Sequence, residues 1–278
     1  MLPDTIINMG NSTVQHGPMS DRVYLMSMAE NDSPDIVSRL DKLSCEKGYT
    51  KIFAKVPDSC SPLFKEAGYI TEAYVPGLFN GEEDARFMGK YLDKERARPS
   101  DPELIDNVLE VARSKAQSPS QASLPQGYEV RAMNHQDANE MAQVYKQVFD
   151  SYPFPVFDPD YLLETMEKNV VYFGITHNNR IVGLASAETD PKSLSAEMTD
   201  FATLPSHRGQ GLAGVLLEFM LNEMSNTRIS TLFTIARAVS FGMNITFARA
   251  GFEFSGTLIN NTHIAGQIES MNVWHYNL

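Results

Sequence analysis

Residues 196–217 read Ala-Glu-Met-Thr-Asp-Phe-Ala-Thr-Leu-Pro-Ser-His-Arg-Gly-Gln-Gly-Leu-Ala-Gly-Val-Leu-Leu, and this stretch restricts the fold more than any other. It reads as a strand, a short loop and the start of an amphipathic helix. Arg208-Gly209-Gln210-Gly211-Leu212-Ala213 spans the loop and the first helical turn. Two glycines remove Cβ atoms where backbone N–H groups can close around phosphate oxygens. The helix behind them adds the partial positive charge of its N-terminus. By physics alone this is a pyrophosphate cradle, and the rest of the chain decides which pyrophosphate it holds.

Two ligands compete for such a cradle. Gly209, Gly211 and Gly214 also spell the Gly-x-Gly-x-x-Gly dinucleotide fingerprint. That fingerprint opens directly off its strand and needs an acidic residue about 20 residues on for a ribose hydroxyl. Here Pro205-Ser-His-Arg208 intervenes, and the next strand, Ser230 to Ala236, has no Asp or Glu. The context for a dinucleotide is missing. A glycine-rich turn with no ligand is the bland alternative, and Arg208 beside the glycines argues against it.

Residues 1–21 lack periodicity and read as an irregular arm with one short strand. Strand Arg22 to Met28 follows, then a helix opened by Ser33-Pro34 and closed by Gly48, a strand at Thr50 to Val56, and a short helix from Ser61 to Gly68. Further strands are expected at Tyr69 to Val75 and Phe87 to Leu92. The last third repeats that order: a helix from Gly211 to Asn226, strand Ser230 to Ala236, a helix from Ser240 to Gly251, and strands 252–259 and 268–276. Glu66-Ala-Gly-Tyr69 and Arg249-Ala-Gly-Phe252 mark the same joint in both copies. The first copy has no glycine cradle and should bind no cofactor. Between the copies, residues 99–126 combine a possible helix (Pro102 to Lys115) with a Pro/Ser-rich linker, Ser118 to Pro125. The expected domains are 1–98, a linker at 99–126, and 127–278. From Tyr128 the order is strand, helix, aromatic turn, helix, and a hairpin turned at Asn178-Asn179.

Thirty-five acidic against 23 basic residues give a net charge of −12, which disfavours nucleic acid and anionic membranes as partners. With 42% hydrophobic residues the chain can bury a core, and no apolar run is long enough to span a bilayer. The start lacks the basic and apolar regions of an export signal, and two unpaired cysteines suit a reducing cytoplasm. The six histidines show no metal spacing, so no metal is expected.

The cradle resembles motif A of the GNAT N-acetyltransferases, Arg/Gln-x-x-Gly-x-Gly/Ala, with Arg208, Gly211 and Ala213 in register. The element order from Tyr128 to Tyr276 matches that fold. The implied class is α/β (α+β): a GNAT fold with a central mixed sheet, preceded by a smaller degenerate half-GNAT-like module. The resemblance implies acetyl-CoA as cosubstrate, held by Arg208, Gly209, Gln210, Gly211, Leu212 and Ala213. A strand bulge at Phe201, Ala202 and Thr203 would hold the pantetheine arm and supply an oxyanion donor. Asn244 would contact the cofactor arm. Many members carry a general-acid tyrosine where this chain has Phe247, so Tyr152 or Tyr276 must serve or the thiolate leaves to solvent.

Amine acetylation also needs a base. Glu197 and Asp200 are the candidates, and strand alternation places them on opposite faces. By its position after the first helix, the aromatic turn with Phe149, Tyr152 and Phe154 should cover the acceptor pocket. The last hairpin, with Asn261, Glu269 and Trp274, should reach the same mouth. His16-Gly-Pro, Lys51 to Pro57, Pro76 to Gly81, Ser151-Tyr-Pro-Phe-Pro155, Thr199 to Leu204, Leu258 to Asn261 and Glu269 to Trp274 together resemble the β-lysine N6-acetyltransferases over nearly the full chain. That resemblance implies transfer of acetyl to the terminal amine of β-lysine, making a compatible solute for osmoadaptation. Asp150, Asp200 or Glu269 would hold the second ammonium. Arg131, Arg180, Arg237 and Asn261 are all open as carboxylate partners. Another diamine, a polyamine or a protein lysine as acceptor stays open, as does a non-catalytic acyl-CoA sensor.

Overall fold

The computed structural model describes residues 4–33, 35–116 and 123–278. Pro34, expected to open the first helix, and residues 118–122 of the expected Pro/Ser-rich linker lie outside the described residues. The first part of the chain holds strands β1 (Thr5–Met9), β2 (Ser12–Gly17), β3 (Arg22–Ser27), β4 (Lys51–Pro57), β5 (Ile70–Phe79) and β6 (Glu83–Tyr91), with helices α1 (Asp35–Lys47) and α2 (Ser61–Glu66). Helix α3 (Pro102–Ala116) follows. The rest holds β7 (Tyr128–Ala132), α4 (Ala138–Val148), α5 (Pro159–Lys168), β8 (Val170–His177), β9 (Arg180–Asp190), β10 (Ser195–Thr203), α6 (Leu212–Ser225), β11 (Thr231–Arg237), α7 (Phe241–Arg249), β12 (Glu253–Ile264) and β13 (Gln267–Asn277).

Local chemistry explains most boundaries. Asn178 and Asn179 both adopt positive φ (52° and 60°), the conformation a two-residue primed turn needs between β8 and β9. Asp158 caps α5 by accepting from Asp160 N, with Pro159 in the first turn, and Ser240 caps α7 by accepting from Met243 N. The irregular arm expected at the start is instead the β1–β2 hairpin. It carries no apolar alternation to read; its turn is tied down by the Asp32 carboxylate, which accepts from Asn11 N (2.8 Å) and Ser12 Oγ (2.6 Å).

Among the described residues the strands form one 13-stranded mixed sheet in the order β1-β2-β3-β4-β6-β5-β12-β13-β11-β10-β9-β8-β7. Two blocks within it correspond. In the first, β3 runs parallel to β4, which pairs antiparallel with β6, and β6 with β5. In the second, β10, β11, β13 and β12 repeat those relations. The blocks meet where equivalent strands β5 and β12 pair antiparallel, so they face each other about a pseudo-twofold axis. The repeated joint is equivalent in detail. Gly68 and Gly251 have φ of 86° and 88°, and Tyr69 N and Phe252 N donate to Phe64 O and Phe247 O, each at 3.1 Å.

Only Gly256 and Ala73 are in register across that seam. A Cβ on Gly256 would lie 2.1 Å from Glu72 O and 2.6 Å from Ala73 Cα, so glycine is what lets the backbones meet. Side chains strengthen the junction. The buried Lys51 Nζ sits 2.9 Å from the Glu72 carboxylate and donates to Ile259 O at 2.7 Å, while Ile259 N donates to Glu72 Oε1 at 2.8 Å. Removing one member of such a buried pair strands the other charge, at about 3–5 kcal/mol. Arg96 Nε donates to Asn260 O, and Asn260 Nδ2 returns bonds to Arg96 O and Arg98 O.

Helix α3 does not float between the blocks: Ile105, Leu109 and Ala112 are buried in the same core as Phe247 and Ala248 of α7. That core also takes Leu212, Leu216, Leu217 and Met220 of α6, and Ala196 and Met198 of β10. Each large aliphatic side chain fully buried there contributes about 1.5–3 kcal/mol. The core therefore lies on the helix-covered face of the sheet, and the alternate residues of β10 point the other way.

Candidate active site

Strands β10 and β11 pair only over Ser195–Glu197 against Thr231–Phe233, then diverge. The gap opens toward the C-terminal ends of both strands, where the loop after β10 carries the glycines. Gly209 and Gly211 have φ of 77° and 73°, left-handed values, and added Cβ atoms would meet nothing within 4 Å. The glycines serve backbone conformation, not close packing. Among the described residues, none of the five successive N–H groups of residues 209–213 has a hydrogen-bond partner. They sit at the N-terminus of α6, exposed except at Leu212 and Ala213. Unpartnered donors at a helix N-terminus suit the phosphates of a coenzyme. The Arg208 guanidinium stands beside them, donating from Nε to Thr203 O at 3.1 Å.

A bulge interrupts β10 against β9 between Thr199 and Ala202, one step earlier than expected: Asp200 and Phe201 are out of register, while Ala202 and Thr203 pair again with Leu184 and Gly183. Asp200 adopts φ of 57°. This corrects the alternation argument. The bulge swings the Asp200 side chain onto the face already holding Glu197 and Thr199, and sends Phe201 to the helix side, where it meets Phe247 edge-on at 5.5 Å. Both carboxylates now line one cavity.

That cavity, about 620 Å³, lies on the sheet face opposite α6 and α7. Glu197, Asp200, Ser186 and Glu188 form one wall, and Tyr152, Phe154, Val156 and Tyr161 of the aromatic turn and α5 another. Phe233, Ile235, Asn261, Ile264 and Met271 continue it. Arg22, Tyr24, Phe53 and Lys55 come from the first block, so that block is part of the pocket although it lacks a cradle.

Glu197 and Glu188 stand directly opposite each other on β10 and β9. Burial first, and the facing Glu188 second, push the Glu197 carboxyl up to about 8, against the pull of Lys55. Glu188 is raised as well, by burial, with Lys55 opposing. Asp200 accepts from Tyr152 Oη and Ser186 Oγ, each at 2.5 Å; burial raises its carboxyl and those bonds oppose the rise. Burial and the adjacent Asp200 hold the Tyr152 phenol well above its ordinary value.

The structure thus brings together Glu197, Asp200, Tyr152, Phe154 and Asn261. Other expected site residues lie elsewhere. Phe149 stands behind the pocket, stacked on Tyr152 at 4.6 Å. Glu269 is tied to Arg237 by two bonds (2.7 and 2.8 Å) and Asp150 is exposed, so neither faces the cavity. Trp274 points into the helix-side core. Asn244 is fully buried and saturated: Nδ2 donates to Arg237 O and Ser240 O, and Oδ1 accepts from Asn272 Nδ2 and Trp274 Nε1. It fastens α7 to β11 and β13 and has no free group for a cofactor arm. Of the four expected carboxylate partners, Arg131 is held by Asp137, Arg180 by Glu140 and Arg237 by Glu269. Sequence reasoning missed Arg22, Lys55 and Glu188. Glu188 was findable, because the Asn178-Asn179 turn fixes the strand that carries it.

A family model described as the Acetyltransferase (GNAT) family matches residues 139–252. The chain is 36% identical to a protein named beta-lysine N(6)-acetyltransferase from Methanococcus maripaludis, over 98% of each chain. It is 35% identical to the N-acetyltransferase YodP of Bacillus subtilis, over 88% of this chain and 87% of that one. A second protein named beta-lysine N(6)-acetyltransferase, from Methanosarcina mazei, is 32% identical over 86% of this chain and 96% of its own.

Proposed function

The chain belongs to the GNAT acetyltransferase family, and from that premise we propose that it transfers acetyl from acetyl-CoA to the terminal N6 amine of β-lysine. The observation that carries the reading is Glu197, raised to about 8, in a cavity behind the β10–β11 gap. Acetyl-CoA supplies the acetyl group as a thioester. The free N–H groups of residues 209–213 and Arg208 would hold its phosphates, and the Asp200–Phe201 bulge offers unpaired backbone beside the gap.

Glu197 takes the proton that the acceptor ammonium must lose before its nitrogen can attack. An ordinary glutamate lies about six pKa units below an alkylammonium, and a glutamate near 8 only about two and a half. The transfer is correspondingly less uphill. Asp200 orients Tyr152, whose phenol keeps its proton against the carboxylate. The aromatic wall, stiffened by Pro153 and Pro155, shapes a preformed pocket around an aliphatic chain. Residues 1–98 act as a degenerate module supplying pocket wall, and residues 127–278 carry the chemistry. The product keeps one carboxylate and one ammonium, so it is a net-neutral solute that a cytoplasm can accumulate under osmotic stress.

Mass spectrometry of products formed from acetyl-CoA with β-lysine, lysine and a panel of polyamines tests this. Preferred formation of β-lysine acetylated once, at N6, is expected. Preference for a polyamine would reassign the acceptor, and absence of turnover with every amine would leave a coenzyme-binding protein without catalysis.

A further inference from the structure

Arg22 is 4% exposed and lines the acceptor cavity. Its Nη1 donates to Asn261 O at 2.6 Å and Thr262 Oγ1 at 3.0 Å, and its Nη2 to Gln15 Oε1 at 3.3 Å. All three acceptors are neutral. Its Nε is buried with no partner, and among the described residues no carboxylate pairs with it directly, Asp4 and Glu197 acting on it only through space. None of the remaining residues (1–3, 34 and 117–122) is acidic, so no counter-ion is hidden there. A buried guanidinium with no directly paired anion is costly, and an anion arriving from outside would relieve that cost. Beside it, Asn261 Oδ1 is a buried acceptor with no donor. Both residues line the same cavity, and Arg22 holds the Asn261 backbone.

We propose that Arg22, from the block lacking the cradle, binds the acceptor's carboxylate, and that Asn261 Oδ1 receives the ammonium next to it. The pair forms an amino-acid head-group site, which leaves the acceptor's far amine to reach Glu197. This rests on the reading of the acceptor as β-lysine. Burial lowers Arg22 only to about 10, so the guanidinium stays charged in the working range. Tyr24 and Phe53 lie against it, with centroids 5.0 and 5.8 Å from Cζ, and limit its movement. Selectivity then comes from a positive group that a simple diamine leaves unpaired, with a second ammonium placed close to it.

The test compares kcat/KM for β-lysine and for 1,4-diaminopentane, the same skeleton without the carboxylate, in wild type and Arg22→Gln. Truncating one partner of a buried charge pair should cost β-lysine about 30-fold or more, chiefly through KM. The loss for the diamine should be at least about tenfold smaller, and Arg22→Lys should recover part of the preference. If wild type prefers β-lysine and Arg22→Gln leaves that preference intact, this proposal falls and the acceptor reading stands. If wild type prefers the diamine, both fall. A second measurement needs no variant: 3-aminobutanoate, which carries the head group without the reacting arm, should inhibit wild type competitively against β-lysine. Absence of competition at concentrations well above the β-lysine KM would overturn the assignment.

Discussion

Glu188→Gln isolates the electrostatic tuning of the candidate base. Glu188 faces Glu197 directly across an antiparallel pair. Cβ atoms in that relation lie about 5 Å apart, and like charges there repel. With carboxylates about 6 Å apart and an effective dielectric constant of about 20, the repulsion is about 2.8 kcal/mol, or about two pKa units. Burial raises Glu188 as well, and Lys55 opposes that rise. Screening removes about half of the bare repulsion, so the expected shift is about one unit. A base must be deprotonated to act, so the rate rises with pH through about 8 in wild type. In Glu188→Gln that rise should move about one unit toward acid, and the plateau should change much less than the midpoint. The assay is thiol release at saturating acetyl-CoA, with kcat/KM for the amine recorded from pH 5.5 to 9.5, a span of about four units around the expected midpoint. An unmoved acid limb would refute either Glu197 as the base or the coupling across β9 and β10.

Glu197→Gln should abolish most turnover and yet stabilise the fold in alkali. The Glu197 carboxyl is raised in the folded protein above its unfolded value of 4.5, so its penalty is absent below that pH and grows as pH climbs to about 8. Thermal midpoints of the two proteins should coincide near pH 4 and differ by about 3 °C or more at pH 8.5; a constant difference across pH would sink the linkage. Phe247→Tyr restores the residue common in the family, but the ring is 1% exposed, between Phe201 and Phe252. An unpaired buried hydroxyl there should cost about 1–3 kcal/mol in urea titration without raising kcat; a faster enzyme would show that position 247 faces the thiolate. Gly256→Ala should lose about 3 kcal/mol or more, because its Cβ meets β5 backbone atoms that cannot step aside. A near-normal urea midpoint would mean the seam is looser than its geometry.

Local signals carried much of the fold. The cradle, the Asn178-Asn179 turn and the paired Ala-Gly-aromatic joints depend on residues adjacent in sequence, and the structure places them where those patterns say. The site was less legible because its geometry is set at a distance. One left-handed residue, Asp200, reverses the face of everything after it, and nothing in Thr-Asp-Phe announces a bulge. Asn244 reads as available because its four partners lie on β11, on β13 and at the cap of α7, up to 30 residues away. Arg22 was invisible as a site residue because its bond to Asn261 spans 239 positions. The β1–β2 hairpin escaped because a carboxylate beyond β3, not apolar alternation, secures its turn.

The antiparallel meeting of β5 with β12 has a consequence for how such chains diversify. Two blocks related by a twofold axis have the architecture of a homodimer sewn into one polypeptide. In a true homodimer every substitution appears twice, so a residue that improves selection on one side must be tolerated by the chemistry on the other. Fusion removes that constraint. The first block carries no glycine cradle, and the residues it turns to the pocket are free of that demand. Substitutions at the first-block residues that line the pocket, Arg22, Tyr24, Phe53 and Lys55, can therefore change the acceptor wall without touching the Arg208–Ala213 loop.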